Sequence, residues 1–196
     1  MGRGLTADVV VRTGADLADE VGFDAVTLAA VARRLDVRTP SLYSHVAGSD
    51  DLAARICALA LEELADVVSA AVAGRSGGAA VLGLLDAHGE YARRHPGRYA
   101  ATRLRLPAEG STGGAGVEAA LAAGRRHADL LRALLRGYDV PSGDEVHVIR
   151  LLGSVVLGFA TLDVAGAFAH SEPPSQESRR FIAEALDAML RPGGAA

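Results

Sequence analysis

The chain has 196 residues, enough for two small helical domains, and 49% of them are hydrophobic, which supplies a substantial core. All 20 basic residues are arginine, the net charge is −4 and only 4% of residues are aromatic, with no Trp. That balance excludes a bulk basic field for nucleic acid, while the abundance of Ala, Leu and Arg favours an all-α fold. A single cysteine, Cys57, excludes an internal disulfide and fits a reducing cytoplasm, and the opening MGRGLTADVV has no long apolar signal region. The use of Arg without Lys, together with much Ala and Gly, reads as the GC-rich coding bias of a bacterial genome.

The first helix is predicted over about residues 6–21, with Val10, Leu17, Ala18 and Val21 as its inner stripe, Gly14 allowing close approach and Gly22 as its stop. Phe23 and Val26 then cover the core. Arg3, ahead of this helix, is either a minor-groove or phosphate arm or a solvated tail.

Thr27 to Val46, TLAAVARRLDVRTPSLYSHV, reads as two short helices joined by a tight turn. Leu28, Val31, Ala32 and Leu35 share one helical face, and the Thr27 hydroxyl can cap it. Asp36 tolerates the left-handed conformation that the turn needs, and Val37 plugs the angle. The second helix starts near Thr39 with Pro40 in its first turn, where a missing N–H costs nothing. Leu42 and Val46 pack back on the first helix. Arg38, Thr39, Ser41, Tyr43, Ser44 and His45 are then free to face outward. Arg38 has the reach for a phosphate or the O6/N7 edge of guanine, and Tyr43 and His45 suit phosphate oxygens. An apolar inner face with a polar outer one is what a helix-turn-helix needs to read a major groove; an ordinary helical corner shows the same division. Charge gives no help: the first 60 residues carry six arginines against eight carboxylates, so contacts must come from locally placed groups.

A long helix follows, about 49–73, capped by Ser49 with Asp50 and Asp51 at its positive end; it would link the reading domain to the rest as a lever, with Cys57 as a small core residue. Residues 74–78 form a Gly-rich linker. Further helices are expected over about 79–94, 98–106, 117–138, 144–169 and 176–190, about nine in all. Pro96-Gly97 makes a corner, 107–116 a mobile Gly-rich loop, 141–143 a turn and Glu172-Pro173-Pro174 a stop, with a frayed tail from Arg191. Phe181, Ile182, Ala185, Leu186 and Met189 lie on one side of the last helix. The stretch 146–168 holds Arg150, Asp163 and several Gly, so it reads as an interface helix and not a membrane span. The last two helices are too apolar for a monomer surface, and Gly153 and Gly158 would admit a second helix, so a homodimer through about 144–169 and 176–190 is expected.

LDVRTPSLYSHV, following a helix that ends in VGFDAVT, resembles the DNA-binding domain of TetR-family transcriptional regulators, with Leu42, Tyr43 and His45 after Pro40 closest to the tetracycline-repressor type. The segment HGEYARRHPGRYAATRLRLP is similar to the effector-domain start of one TetR subgroup. The resemblance implies an N-terminal three-helix helix-turn-helix domain (1–48) and a helical effector-binding and dimerisation domain (49–196). It implies a repressor that binds a palindromic operator in double-stranded DNA. Arg38, Thr39, Pro40 and Ser41 would read bases, and Thr27, Tyr43, Ser44 and His45 would hold the backbone. It also implies a small-molecule effector of unknown identity held in the second domain, for which His88, Tyr91, Tyr99, Arg103, His127, Phe159 and Asp163 are candidates. The chain departs from many relatives in having Gly48-Ser49-Asp50-Asp51 where Lys meets phosphate, Val46 where Phe is common, and Ala29 where a polar base reader sometimes sits.

No cofactor or metal is expected: His88 and His95, seven apart, are two turns from each other on one helix face, and no Cys or carboxylate cluster joins them. No nucleophile elbow, phosphate loop or HExxH run suggests an enzyme. The alternative function is a ligand-binding or interaction protein whose helix-turn-helix no longer binds DNA.

Overall fold

The computed structural model describes residues 4–107, 114–170, 172 and 175–191. The expectations for Arg3, for most of the 107–116 loop, for Pro173-Pro174 and for the tail after Arg191 lie outside those residues. The fold is all-α, with no strand among the described residues. Among the described residues the eight α-helices are α1 (Ala7–Val21), α2 (Leu28–Arg34), α3 (Ser49–Val72), α4 (Gly77–Arg94), α5 (Pro96–Ala101), α6 (Ala115–Leu135), α7 (Glu145–Val164) and α8 (Ser175–Leu190), with 3-10 turns at Phe23–Ala25 and Thr39–Ser44. By packing the chain forms two compact units, residues 1–63 with 95–125, and residues 64–94 with 126–196.

In the first unit, α1 starts where the Thr6 hydroxyl accepts the Val9 amide at 3.2 Å, and stops at Gly22. Val10 and Ala15 are fully buried against Leu28, Val31, Leu42, Val46, Leu52 and Ile56, and Ala18 is fully buried as well. Gly14 does allow close approach, since a Cβ there would lie 2.9 Å from Ile56 Cδ1. Val21, expected on the inner stripe, is 57% exposed. It ends α1, where the chain turns away and leaves it on an open groove with Leu17, Ala25, Ala30 and Arg33. Phe23 and Val26 pack on the core from its edge.

α5 packs on α1, and its start differs from the expected 98–106. Pro96 takes the first helical position, where its fixed φ is preorganised, so the corner residue opens the helix. The Thr102 hydroxyl then bonds back to the Tyr99 carbonyl at 2.7 Å and the chain leaves the helix. At Gly97 the two backbones nearly touch: a Cβ would stand 1.8 Å from the Ala18 carbonyl oxygen. Asp19 clamps the junction, accepting the Arg98 amide at 2.9 Å on one oxygen and facing His95 Nδ1 at 2.9 Å with the other. The Arg98 guanidinium also pairs with Asp16 and with Glu63.

In the second unit, α4 packs against both α7 and α8. α4 opens at Gly77, two residues earlier than expected, because Gly77 and Gly78 lie under Asp187 of α8, where a Cβ would meet that side chain at 3.1 and 3.2 Å. Asp187 also accepts the Tyr138 hydroxyl at 2.8 Å. α6 ends at Leu135 and not Tyr138, passing into i→i+3 turns at Gly137 and Tyr138. α7 ends at Val164 and not Ala169, since Gly166 takes φ +74° and the Ala167 amide reaches back to the Leu162 carbonyl at 3.0 Å, closing the helix. On α8 the buried stripe is Arg179, Ala183, Leu186 and Leu190. Phe181, Ala185 and Met189, expected beside Leu186, lie on the exposed side because Arg179 takes a core position through its ion pairs.

Candidate nucleic-acid interface

α2 begins where the Thr27 hydroxyl accepts the Ala30 amide at 3.1 Å, a cap worth about 1 kcal/mol. It ends with Asp36 at φ +54°, the left-handed turn that the sequence called for, and the Val37 amide closes on the Ala32 carbonyl at 3.0 Å. The segment that follows is one tight 3-10 turn, Thr39–Ser44, and not a full α-helix. Pro40 stands in its first turn, where no intrahelical bond is lost, and Ser41 bonds to Arg38 at 2.9 Å and His45 to Leu42 at 2.8 Å in i→i+3 spacing. Val46 to Leu42, 3.0 Å, then closes the turn with α spacing.

This turn has a dry side and a wet one. Leu42 is 0% and Val46 2% exposed, so the turn is anchored on α2. Arg38, Pro40, Ser41, Tyr43 and Ser44 are exposed, with Thr39 and His45 half-buried. The Thr27 oxygen already accepts an amide but keeps its hydrogen to donate. The Ser44 hydroxyl donates to the Ser41 carbonyl at 2.9 Å, so it must rotate before it donates to a phosphate.

Local pairing alters the charge seen from outside. Arg12 pairs with Asp8, Arg34 with Glu20 and Arg55 with Asp51. Asp16 and Asp19 are matched by Arg98, which the linear count of the first 60 residues leaves out. Among the described residues Arg33 and Arg38 are exposed and make no ion pair, and they flank the turn between α2 and the Thr39–Ser44 segment. Sequence reasoning missed Asp19, Arg98 and Asp51 as site-building groups. For Asp51 the spacing was visible, an acid in the first helical turn able to reach back to the preceding amides.

The effector candidates divide between the units. Tyr99 is buried in the first unit, which raises its pKa, and Arg103 is exposed. In the second unit, His88 and His127 meet edge-on with ring centroids 5.2 Å apart, Tyr91 is buried on α4, and Phe159 stacks on Phe168 at 5.0 Å. Asp163 lies between Arg93 at 3.1 Å and Arg179 at 3.5 Å. His95, considered with His88 for a metal, faces Asp19 instead.

Burial pushes the His88 imidazole down to about 3, helped by the neighbouring His127, whose own pKa burial also lowers. A histidine held below its unfolded pKa of about 6.5 loses stability as pH falls, because the unfolded chain takes the proton that the folded chain refuses. His88 alone is expected to cost about 2 kcal/mol between pH 6.5 and 5, ahead of the carboxylates, and His127 adds in the same direction. Urea unfolding across that range tests it; His88→Gln should flatten the slope, and a slope equal to that of the native chain would exclude His88 as its source.

Residues 10–56 match the family model for bacterial regulatory proteins of the tetR family. Residues 81–189, more than half of the chain, match the tetracyclin repressor-like C-terminal domain. The chain belongs to the TetR family. The TetR chain is 31% identical over 163 residues to the HTH-type transcriptional regulator Rv0681 of Mycobacterium tuberculosis, covering 83% of this chain and 72% of that one. It is 36% identical over 103 residues to the regulator YobS of Bacillus subtilis, a match spanning 53% of this chain and 54% of YobS. In fold it is similar to a protein of unknown function from Rhodococcus sp. RHA1, with a TM-score of 0.75, 19% identity and 96% of each chain covered. Both ends of this TetR chain therefore match the family, residues 10–56 through its N-terminal model and residues 81–189 through its C-terminal one.

Proposed function

We propose that this regulator is a ligand-responsive repressor that binds a palindromic operator as a homodimer. The observation that carries the reading is the Thr39–Ser44 turn, anchored by a fully buried Leu42 while Tyr43 beside it is 57% exposed. Arg38, Thr39, Pro40 and Ser41 read bases, with Pro40 suited to thymine methyl groups, and Thr27, Tyr43, Ser44 and His45 hold the backbone. Residues 1–48 serve as the reading domain and 49–196 as the effector and dimer domain, in the cytoplasm.

Dimerisation through α7 and α8 is supported by their outward apolar residues: Val146, Leu151, Leu162 and Val164 on one, Phe181 and Met189 on the other, with Phe181 72% exposed. Gly153 and Gly158 have open space where a Cβ would stand, room for a second helix. Among the described residues α7 alone is long and apolar enough to cross a membrane, and the dimer reading covers that surface instead. Two copies would set their reading turns one helical repeat apart, about 34–36 Å. The effector acts by binding better to a conformation whose turns miss that spacing, and the candidates for holding it in the second unit are His88, Tyr91, His127, Phe159 and Asp163.

Selection of bound duplexes from a random pool tests the reading, with a palindrome as the expected product. On that duplex and a scrambled one, Tyr43→Ala should weaken binding to both, and Arg38→Ala should in addition relax the preference between them by about 1–3 kcal/mol. Binding unchanged in both variants would refute the assignment. A salt titration separates it from a helix-turn-helix that has lost DNA, since phosphate contacts make affinity fall steeply with ionic strength.

A further inference from the structure

Ser49, Asp50 and Asp51 open α3, where the helix dipole favours acids. Asp51 does more than face that dipole. Its side chain is only 10% exposed. Oδ2 accepts the Ala47 amide at 3.0 Å and Arg55 Nε at 2.8 Å, while Oδ1 accepts the Gly116 amide at 3.1 Å. Ala47 follows directly on the residues that close the reading turn, whose amides fold back to Leu42. Gly116 lies in the first turn of α6, 65 residues away in the chain. One carboxylate thus holds both segments. The fit at Gly116 is close enough that a Cβ would stand 2.6 Å from Asp51 Oδ1 and 2.8 Å from the Asp51 carbonyl oxygen. Burial raises the carboxyl's pKa, but the amide and guanidinium donors outweigh it and leave the group below its ordinary value, so it is ionised at neutral pH. Tyr43, Ser44, His45, Asp51, Arg55 and Val117 line an open groove of about 720 Å³ on the same side.

We infer that Asp51 is a positioning residue for DNA reading, tying the end of the reading turn to the first turn of α6 so that a displacement of either is passed to the other. The DNA half of this inference rests on the regulator reading above. Exposed Asp50 shares the helix dipole without these contacts, which makes it the control.

The test is amide hydrogen exchange on the full chain, comparing the native protein with Asp51→Asn and Asp50→Asn. An asparagine turns its NH2 on Gly116 or on Ala47 and Arg55 together, and it drops the charge that strengthens the bonds on the remaining oxygen, so both holds should weaken. Asp51→Asn is expected to speed exchange at both Ala47 and Gly116 by about tenfold or more, and Asp50→Asn at neither. Faster exchange at Ala47 alone would reduce Asp51 to a helix cap, and unchanged exchange at both would remove the tie; either overturns the inference. Should Asp51→Asn fail to fold, Gly116→Ala presses on the same carboxylate from α6 and should speed exchange at Ala47, and a rate equal to that of the native chain would count against the tie. On a duplex selected by the native protein, Asp51→Asn should bind about tenfold more weakly. Undiminished binding overturns the positioning role. A native protein that selects no duplex fails the regulator reading instead, and the exchange rates still decide the tie.

Discussion

Replacing Gly97 with alanine is expected to lower the midpoint of thermal unfolding by about 6–12 °C, a loss of about 3 kcal/mol. The new Cβ would stand 1.8 Å from the Ala18 carbonyl oxygen, 2.0 Å from its carbon and 2.6 Å from the Asp19 nitrogen. All three are backbone atoms, so no side chain can swing aside. α5 must lift from α1, and the contacts of Asp19 with the Arg98 amide and His95, both 2.9 Å, lengthen with it. Overpacking against side chains costs about 1–3 kcal/mol, and a clash between two helix backbones belongs at or above the top of that range. Gly124, in the interior of α6, provides the comparison: a Cβ there meets nothing within 4 Å, so Gly124→Ala should be neutral or slightly stabilising. Equal midpoints for the two variants would mean that α1 and α5 do not approach as described.

Arg179→Ala is expected to destabilise the second unit by about 3 kcal/mol, the lower end of the range for breaking a buried ion pair. Arg179 is 7% exposed, with Nε 2.8 Å from Asp86 and Nη1 3.5 Å from Asp163. Asp163 keeps Arg93 at 3.1 Å and Asp86 is half exposed, which holds the loss to that lower end. Arg179→Met should recover part of it, because its methylenes still fill the space between α4 and α8. Urea unfolding of the three proteins measures the effect. If alanine and methionine cost the same, packing is irrelevant at this position; if neither costs anything, the pair does not hold α8.

Most helices were legible because each carries an apolar stripe of helical period and a punctuating residue. Thr6, Thr27, Asp36 and Gly22 all act as their chemistry suggests. What periodicity hid was the outcome of competition. Pro40 favours the start of an α-helix and of a 3-10 turn alike, and only the fold shows that the result is a 3-10 turn. Pro96 read as a corner because Pro and Gly together usually turn the chain, yet Pro also suits a first helical position. On α8 a charged residue won a core position over Phe181, a choice settled by Asp86 and Asp163 on distant helices. The acidic balance of the first 60 residues was a property of the string: Arg98, far along the chain, offsets Asp16 and Asp19. The outward side of the reading turn was visible from sequence because it depends only on Leu42 and Val46 pointing in.

Cys57 carries a practical consequence. It is 1% exposed among Ala58, Leu61, Leu104, Leu106 and Ala120, and burial pushes the thiol up to about 11, so it is inert while α3 stays against α6. With no second thiol to react, the chain carries a built-in stopwatch: the pace at which a disulfide reagent modifies it counts how often those two helices part.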